Sequence, residues 1–219
     1  MLESWFLARL PEGVREWYAR ALTSARRDGL QSDGFLIPWS GCGRRLGRVP
    51  ITIETPEVER LRSGGAFVPA GWGTDEIGRG VLLLAAAEGR STERVVAAVD
   101  ELYRKGELRE QQAVLRVLAY LPEPARYVAL ASEAVRNNVV SVLEALACDN
   151  NFPAAHMPEL AFNQMVMKAI FNGLPLARVR GLDQRNGAEL RRMVAGFASE
   201  RRAAGRPVPG DLNLILGGS

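Results

Sequence analysis

Apolar residues recur at the three- and four-residue spacing of an α-helix along most of the chain. Near the N-terminus one stripe lies between Pro11 and Gly29 and consists of Val14, Trp17, Tyr18, Ala21, Leu22 and Ala25. After Gly73, further stripes and capping residues predict helices over 74–88, 91–106, 107–121, 122–136 and 139–148. Helices of this length, joined by turns of two to four residues, pack as antiparallel neighbours. The pattern predicts an all-α fold, an α-solenoid-like stack of HEAT-like or armadillo-like pairs, with a closed helical bundle as the alternative.

The segment 29–73 has a different character, because it contains nine glycines and four prolines. Such punctuation disfavours long regular elements, yet Phe35, Trp39 and Trp72 are too apolar for a disordered linker. We therefore expect a long, ordered, extended arm, either a packing strap or a lid with Trp39 and Trp72 as its aromatic residues. The expected organisation is a single helical domain over 1–219, with an N-terminal helix (1–28), the arm (29–73), a helical-repeat body (74–206) and a tail (207–219).

The composition is that of an ordinary globular protein, with 47% hydrophobic and 24% charged residues and a net charge of +3. Two cysteines, Cys42 and Cys148, are too few and too far apart for a metal-ligand pattern or a disulfide framework. The N-terminus lacks the long apolar region of a signal peptide. No apolar run reaches the roughly 20 residues that a membrane span needs. We therefore expect a cytoplasmic protein with no cofactor and no metal.

A sixth helix, predicted from about Pro158 to Phe171, is apolar on nearly every side, which is typical of a buried helix. Polar residues nevertheless occur on it and just before it. Buried polar groups need partners, and these come from neighbouring helices or from a ligand. The helix therefore carries either a polar network that fixes its register or the wall of a pocket. The candidate ligand-binding residues are His156, Glu159, Asn163, Gln164 and Lys168, together with Trp39 and Trp72.

Evidence for catalysis is thin, and we assign no catalytic residue. Asp149, His156, Glu159 and Lys168 are the groups that an acid, base or lysine nucleophile would require, so a small-molecule enzyme is the alternative function. Arg180 with Arg185 is a candidate anion-binding pair, although a surface salt-bridge network is the better explanation of these arginines. The segment from Gly173 onward contains eight arginines and four acidic residues. This excess of positive charge makes a nucleic-acid-binding helical repeat the third possible function. The small net charge disfavours it.

Four segments of the last third carry a family resemblance. They are FNQMVMKAIF at 162–171, GLPLARVRGLDQRN at 173–186, ELRRM at 189–193 and ASERRAAGRPVP at 198–209, with a weaker likeness in GRGVLLLAAA at 78–87. In this order they resemble the EboA family of metabolite traffic proteins, whereas the segment 29–73 resembles it poorly. The resemblance implies a cytoplasmic helical protein that acts beside a UbiA-like prenyltransferase and sugar-phosphate-type enzymes. It also implies a part in moving a biosynthetic precursor or product out of the cytoplasm, and it supplies no catalytic residues.

The leading expectation is therefore a non-enzymatic binding or adaptor protein in the trafficking, by export, of a biosynthetic metabolite or its precursor. Its expected partners are a small, partly apolar metabolite or the enzymes of the same pathway, close to a membrane surface. Nucleic acid is not expected as a partner.

Overall fold

The computed structural model describes residues 2–63 and 71–217, and it is 72% helical. Within these residues the chain forms thirteen α-helices and no strand, so the all-α prediction is confirmed. Two isolated bridges pair Pro50 with Gly73 and Cys148 with Val179. The chain divides into two compact units, Met1–Pro124 and Ala125–Ser219. A single domain over 1–219 and solenoid-like stacking both stay predictions.

The first unit is built around its fifth helix. Its helices are α1 (Leu2–Leu7), α2 (Glu12–Asp28), α3 (Asp33–Arg45), α4 (Thr55–Ser63), α5 (Thr74–Ala87), α6 (Thr92–Lys105) and α7 (Leu108–Val117), the last continued by a 3₁₀ turn at Leu118–Tyr120. Helix α5 packs against α2, α3 and α7, and nearly all of its residues are buried. Its small residues allow this close approach: a Cβ at Gly78 would clash with Leu46, and the Gly78 carbonyl accepts a 2.6 Å hydrogen bond from the Tyr18 hydroxyl.

The second unit is built around its fourth helix. Its helices are α8 (Val128–Arg136), α9 (Val140–Ala147), α10 (Phe152–His156), α11 (Glu159–Phe171), α12 (Ala188–Ala203) and α13 (Asn213–Leu216), with 3₁₀ turns at Leu176–Arg178 and Gly210–Leu212. A further 3₁₀ turn, Pro124–Tyr127, precedes α8. Helix α11 packs against α8, α9 and α12, as its predominantly apolar sequence predicts.

Most predicted helices are present with small shifts at their ends. The stripe behind Pro11 is α2, and the predicted helices at 74–88, 91–106 and 139–148 are α5, α6 and α9. The predicted helices at 107–121 and 122–136 are shorter, since 3₁₀ turns occupy 118–120 and 124–127. Pro122 and Pro124 fall in this stretch, and neither has an N–H with which to continue an α-helical hydrogen-bond ladder.

The prediction of an extended arm over 29–73 is wrong, because α3 and α4 lie within it. Phe35, Trp39 and Cys42 follow one another at helical spacing and are 0 to 2% exposed. Burying an aromatic side chain contributes roughly 1.5–3 kcal/mol, which offsets the cost of about 3 kcal/mol for a proline such as Pro38 inside a helix. Tertiary packing thus outweighs local propensity in this segment. Residues 64–70 of the expected arm lie outside the described residues.

Candidate functional site

The candidates predicted on and beside α11 differ widely in burial. Asn163 is 1% exposed, and neither atom of its amide has a hydrogen-bond partner within residues 2–63 and 71–217. Gln164 and Glu159 are exposed. His156 is half-buried, with its ring 5.2 Å from the ring of Phe152. Of this group, only Asn163 carries a buried polar group that still needs a partner.

Lys168 has a structural role at the end of a neighbouring helix. Its ammonium group donates hydrogen bonds of 2.7 Å to the carbonyl oxygens of Val135 and Asn137. These carbonyls lie at the C-terminus of α8, where helical carbonyls lack intrahelical donors and a cation is favoured. Lys168 therefore acts as a side-chain cap of α8, with two of its three N–H donors bound to backbone carbonyls.

Arg185 caps the end of α10 in the same way. Its guanidinium donates to the carbonyl oxygens of Ala154 and Met157 at 2.7 and 2.9 Å, and it lies 4.8 Å from the ring centroid of Phe162. Arg180 lies 3.8 Å from the carboxylate of Asp149. Two of the five guanidinium N–H donors of Arg185 therefore bind backbone carbonyls of the protein itself. Anion binding by this pair stays a prediction.

The four groups considered for catalysis are engaged separately. The Asp149 carboxylate accepts a 2.8 Å hydrogen bond from Arg178, while Lys168 binds the carbonyls of α8. Within the described part of the chain, no hydrogen bond or ion pair joins any two of Asp149, His156, Glu159 and Lys168. The same residues contain no group of three or more His, Cys, Asp or Glu arranged to hold a metal ion.

The two candidate tryptophans belong to the first unit, where both are 2% exposed. Trp39 lies on α3 with its ring stacked 5.4 Å from that of Phe35. It lines a cavity of about 430 Å³, which we call the Trp39 cavity. The apolar lining is Leu30, Leu36, Ala98 and Leu102, and the polar lining is Gln31, Ser40, Glu101, Lys105 and Glu110. Gly106 also lines the cavity. Trp39 is thus a buried wall of a cavity and not a lid, and its indole N–H has no hydrogen-bond partner in the described structure.

Part of the polar lining is already paired. The Lys105 ammonium lies 2.6 Å from one oxygen of Glu101, and the Gln31 amide donates to the other at 3.3 Å. Glu110 differs, because one carboxylate oxygen accepts a 3.1 Å hydrogen bond from the backbone N–H of Glu107. Its other oxygen lies 4.0 Å from the Nε atom of Arg79.

A buried ion cluster adjoins the Trp39 cavity. Asp75 and Glu76 begin α5, and both are nearly inaccessible at 0 and 3% exposure. Asp75 pairs with Arg79 at 2.9 Å and with Arg109, and Glu76 pairs with Arg116 at 3.1 Å. The cluster also reaches both tryptophans, since Arg79 lies 5.9 Å from the ring centroid of Trp39 and Arg116 lies 5.0 Å from that of Trp72.

Charge pairing controls the ionisation of Asp75. Burial alone would raise the pKa of Asp75, but the hydrogen bond from Arg109 and the charges of Arg109 and Arg79 outweigh it, so the pKa is lowered. Cys42 shows the opposite balance, because burial raises the pKa of its thiol to about 12 despite the charge of Arg79. The carboxylate is thus held ionised and the thiol is held neutral.

The comparisons with known proteins place the chain in a family. The family model described as metabolite traffic protein EboA matches residues 1–217 of the 219-residue chain. The chain belongs to the EboA family. The match extends well beyond the last third of the chain, where the sequence resemblance to the EboA family is strongest. It also covers helix α3, which supplies Trp39. Neither a curated protein nor a solved structure matches the chain. Among the described helices of this EboA-family protein, none combines the length and apolarity that crossing a membrane requires.

Sequence reasoning missed the ion cluster of this EboA-family protein, although a signal for it was present. Asp75, Glu76 and Arg79 interrupt a helix that is otherwise built from small and apolar residues. The same pattern singled out α11, and it applies equally to α5. The pairing with α7 was not visible, because Arg109 and Arg116 are 34 and 40 residues from their acidic partners.

Proposed function

We propose that this EboA-family protein is a non-enzymatic carrier that binds a small, partly apolar metabolite in the Trp39 cavity. One observation carries the proposal: the first unit has a cavity of about 430 Å³ whose lining combines apolar side chains with a few polar ones. A lining of this kind is typical of small-molecule sites.

The size and lining of the cavity support a small molecule. Its volume of about 430 Å³ falls within the range of roughly 300–1,000 Å³ typical of ligand pockets. Leu30, Leu36, Ala98 and Leu102 offer an apolar surface on which the body of a metabolite is desolvated. The family description as a metabolite traffic protein supports a carrier. In this proposal the protein works in the cytoplasm, hands its ligand to or from enzymes of the same pathway for export, and stacks its helices as HEAT-like pairs.

The test is native mass spectrometry of the protein purified gently from a producing cell, followed by denaturation and identification of released molecules. We expect a partly apolar small molecule on the wild-type protein and at least tenfold less of it on Trp39→Phe. That substitution removes part of the indole ring that lines the cavity and keeps an aromatic side chain. Trp72→Phe is the matched control, because Trp72 is equally buried in the same unit and does not line the cavity. Its load should equal that of the wild type.

Two results would contradict the proposal. A wild-type chain that emerges bare would remove the carrier, and an equal loss of ligand in both variants would move the ligand away from the Trp39 cavity. Conversion of the released molecule on incubation with the protein would instead favour the small-molecule enzyme.

A further inference from the structure

A groove in the second unit lies between the C-terminal ends of α11 and α12. It has a volume of about 340 Å³, within the range of roughly 300–1,000 Å³ typical of ligand pockets, and we call it the Phe171 groove. Its lining consists of Phe171, Phe197, Glu200, Arg201, Ala204 and Arg206. Phe171 is the last residue of α11, and the other lining residues lie on α12 or follow it within three residues. The groove shares no lining residue with the Trp39 cavity.

The apolar wall of this groove is open to solvent. Phe171 is 67% exposed, and its ring meets the ring of Phe197 edge-on with the two centroids 5.0 Å apart. Phenylalanine is usually buried in folded proteins, and full burial of its side chain contributes roughly 1.5–3 kcal/mol. A ligand that covers Phe171 therefore gains hydrophobic free energy that folding leaves unused.

The groove also carries accessible positive charge. Arg206 is exposed, and its side chain forms no hydrogen bond or ion pair within the described residues. The half-buried Arg201 donates one 2.6 Å hydrogen bond from its Nε atom to the carbonyl of Pro207, which uses one of its five N–H donors. Two arginines and one carboxylate, that of Glu200, give the described lining an excess of positive charge.

The charge and the exposed ring are close enough for one small molecule to contact both. The ring centroid of Phe171 and the guanidinium carbon of Arg201 lie 5.0 and 5.6 Å from the ring centroid of Phe197, so they are at most about 11 Å apart. Guanidinium groups bind carboxylates and phosphates through charge-assisted hydrogen bonds. The groove thus combines an apolar surface with anion-binding groups at the separation found within a single small amphiphile.

We propose that the Phe171 groove is a second ligand site, which binds an anionic amphiphile: a molecule with an apolar body and a carboxylate or phosphate head. The body covers the ring of Phe171, and the head pairs with Arg206 and Arg201. A neutral molecule of the same shape gains only the apolar contact, and a cation is repelled by both arginines. This inference goes beyond the proposed function, because the groove lies in the second unit and the Trp39 cavity in the first.

The experiment is an NMR titration of the ¹⁵N-labelled full chain with octanoate and with 1-octanol, two probes of equal chain length that differ in charge. Backbone amide shifts locate the bound probe and give its affinity. We expect octanoate to shift the amides around Phe171 and at the C-terminal end of α12, and to bind at least fivefold more tightly than 1-octanol. Added salt should weaken octanoate and leave 1-octanol nearly unchanged, because it screens the charge of the exposed arginines.

Two pairs of variants separate the contacts with the head and with the body. Arg206→Gln should weaken octanoate at least threefold and leave 1-octanol unchanged. Its matched control is Arg202→Gln, which removes an equally exposed arginine outside the groove lining. Phe171→Ser should weaken both probes. Its control is Leu160→Ser, because Leu160 is 64% exposed on the same helix and does not line the groove.

Sedimentation with phosphatidylglycerol vesicles distinguishes two sources of such an anion. Binding to vesicles that is lost in both Phe171→Ser and Arg206→Gln would assign the head group to a membrane lipid, and octanoate binding without sedimentation would assign it to a free acid. Equal affinities for octanoate and 1-octanol would overturn the proposal, and so would an effect of Arg202→Gln as large as that of Arg206→Gln. Amide shifts confined to the first unit would also overturn it, while leaving the carrier function of the Trp39 cavity in place.

Discussion

Asn163 carries an energetic cost in the second unit. Its side chain is 1% exposed, and both amide atoms lack hydrogen-bond partners in the described residues. A buried amide without a partner costs about 1–3 kcal/mol, whereas an apolar group of the same shape carries no such cost. We therefore expect the protein to be less stable with asparagine at position 163 than with leucine.

Substitution of Asn163 by leucine tests this cost. We expect Asn163→Leu to raise the free energy of unfolding by about 1 kcal/mol, because the side chains are similar in size and the unpaired amide is removed. The measurement is a urea titration followed by circular dichroism. Gln164→Leu, at the exposed neighbouring position, is the control and should change stability little. A fall of more than about 1 kcal/mol in Asn163→Leu would show that the amide is hydrogen-bonded in solution.

Single residues also show why the candidate site was only partly predictable. The sequence indicated that polar residues on α11 are buried, and this holds for Asn163 but not for Gln164 or Glu159. Leu160, Gln164 and Phe171 share one face of the helix, and the two apolar members are 64 and 67% exposed. Because these apolar residues are exposed, hydrophobic periodicity does not identify the side of the helix that faces solvent.

Helix ends depend on side chains that sequence patterns do not reveal. Asn137, just after α8, lies 31 residues from Lys168, whose ammonium group binds its carbonyl. Arg185 binds the end of α10 across a similar separation, 31 residues from Ala154. Local capping rules look only a few residues ahead. They therefore predict where a helix stops but not which distant side chain completes it.

Removing the cap on α8 should destabilise the second unit. Lys168→Met keeps the aliphatic stem and removes two charge-assisted hydrogen bonds, so we expect a loss of about 1–2 kcal/mol of unfolding free energy. Lys105→Met is the control, because Lys105 is the other lysine of the chain and forms an exposed pair with Glu101. Equal effects of the two substitutions in urea titrations would contradict the capping role.

The fate of α3 shows the limit of propensity at the scale of an element. This helix contains four residues that each disfavour helix formation: Gly34, Pro38, Gly41 and Gly43. The helix forms because its apolar face has α2 and α5 to pack against. That information lies outside the segment, and so does the cavity that α3 helps to line.

The whole molecule was the most predictable level. Hydrophobic periodicity was enough for an all-α fold, and the order of short segments in the last third pointed to the EboA family that the full-length match shows. The first unit was least predictable, because its charged residues pair between helices that are distant in sequence. The ion cluster and the Trp39 cavity both form between helices that are distant in sequence.

We expect Asp75 to make the first unit sensitive to acid. The pKa of Asp75 is lower in the folded protein than its ordinary value, so its charged form favours the folded state. The contribution of Asp75 to the unfolding free energy is fully present above the pKa of the unfolded state, near 3.9. It is lost as the pH falls through the lower pKa of the folded state. Unfolding free energy should therefore be steady from about pH 7 to 5 as far as Asp75 is concerned, and should fall steeply below about pH 4.

Tryptophan fluorescence can follow this transition in the first unit alone, because all four tryptophans, Trp5, Trp17, Trp39 and Trp72, lie there. We expect Asp75→Asn to lose about 3 kcal/mol at pH 7, since it leaves the buried Arg79 and the half-buried Arg109 without this carboxylate. We also expect its stability to depend less on pH between about 4 and 2 than that of the wild type. Glu189→Gln is the control, because Glu189 pairs with Arg192 on the exposed surface of α12. If Asp75→Asn keeps the acid sensitivity of the wild type, the acid-labile group is a different carboxylate, and the cluster does not set the stability of this unit.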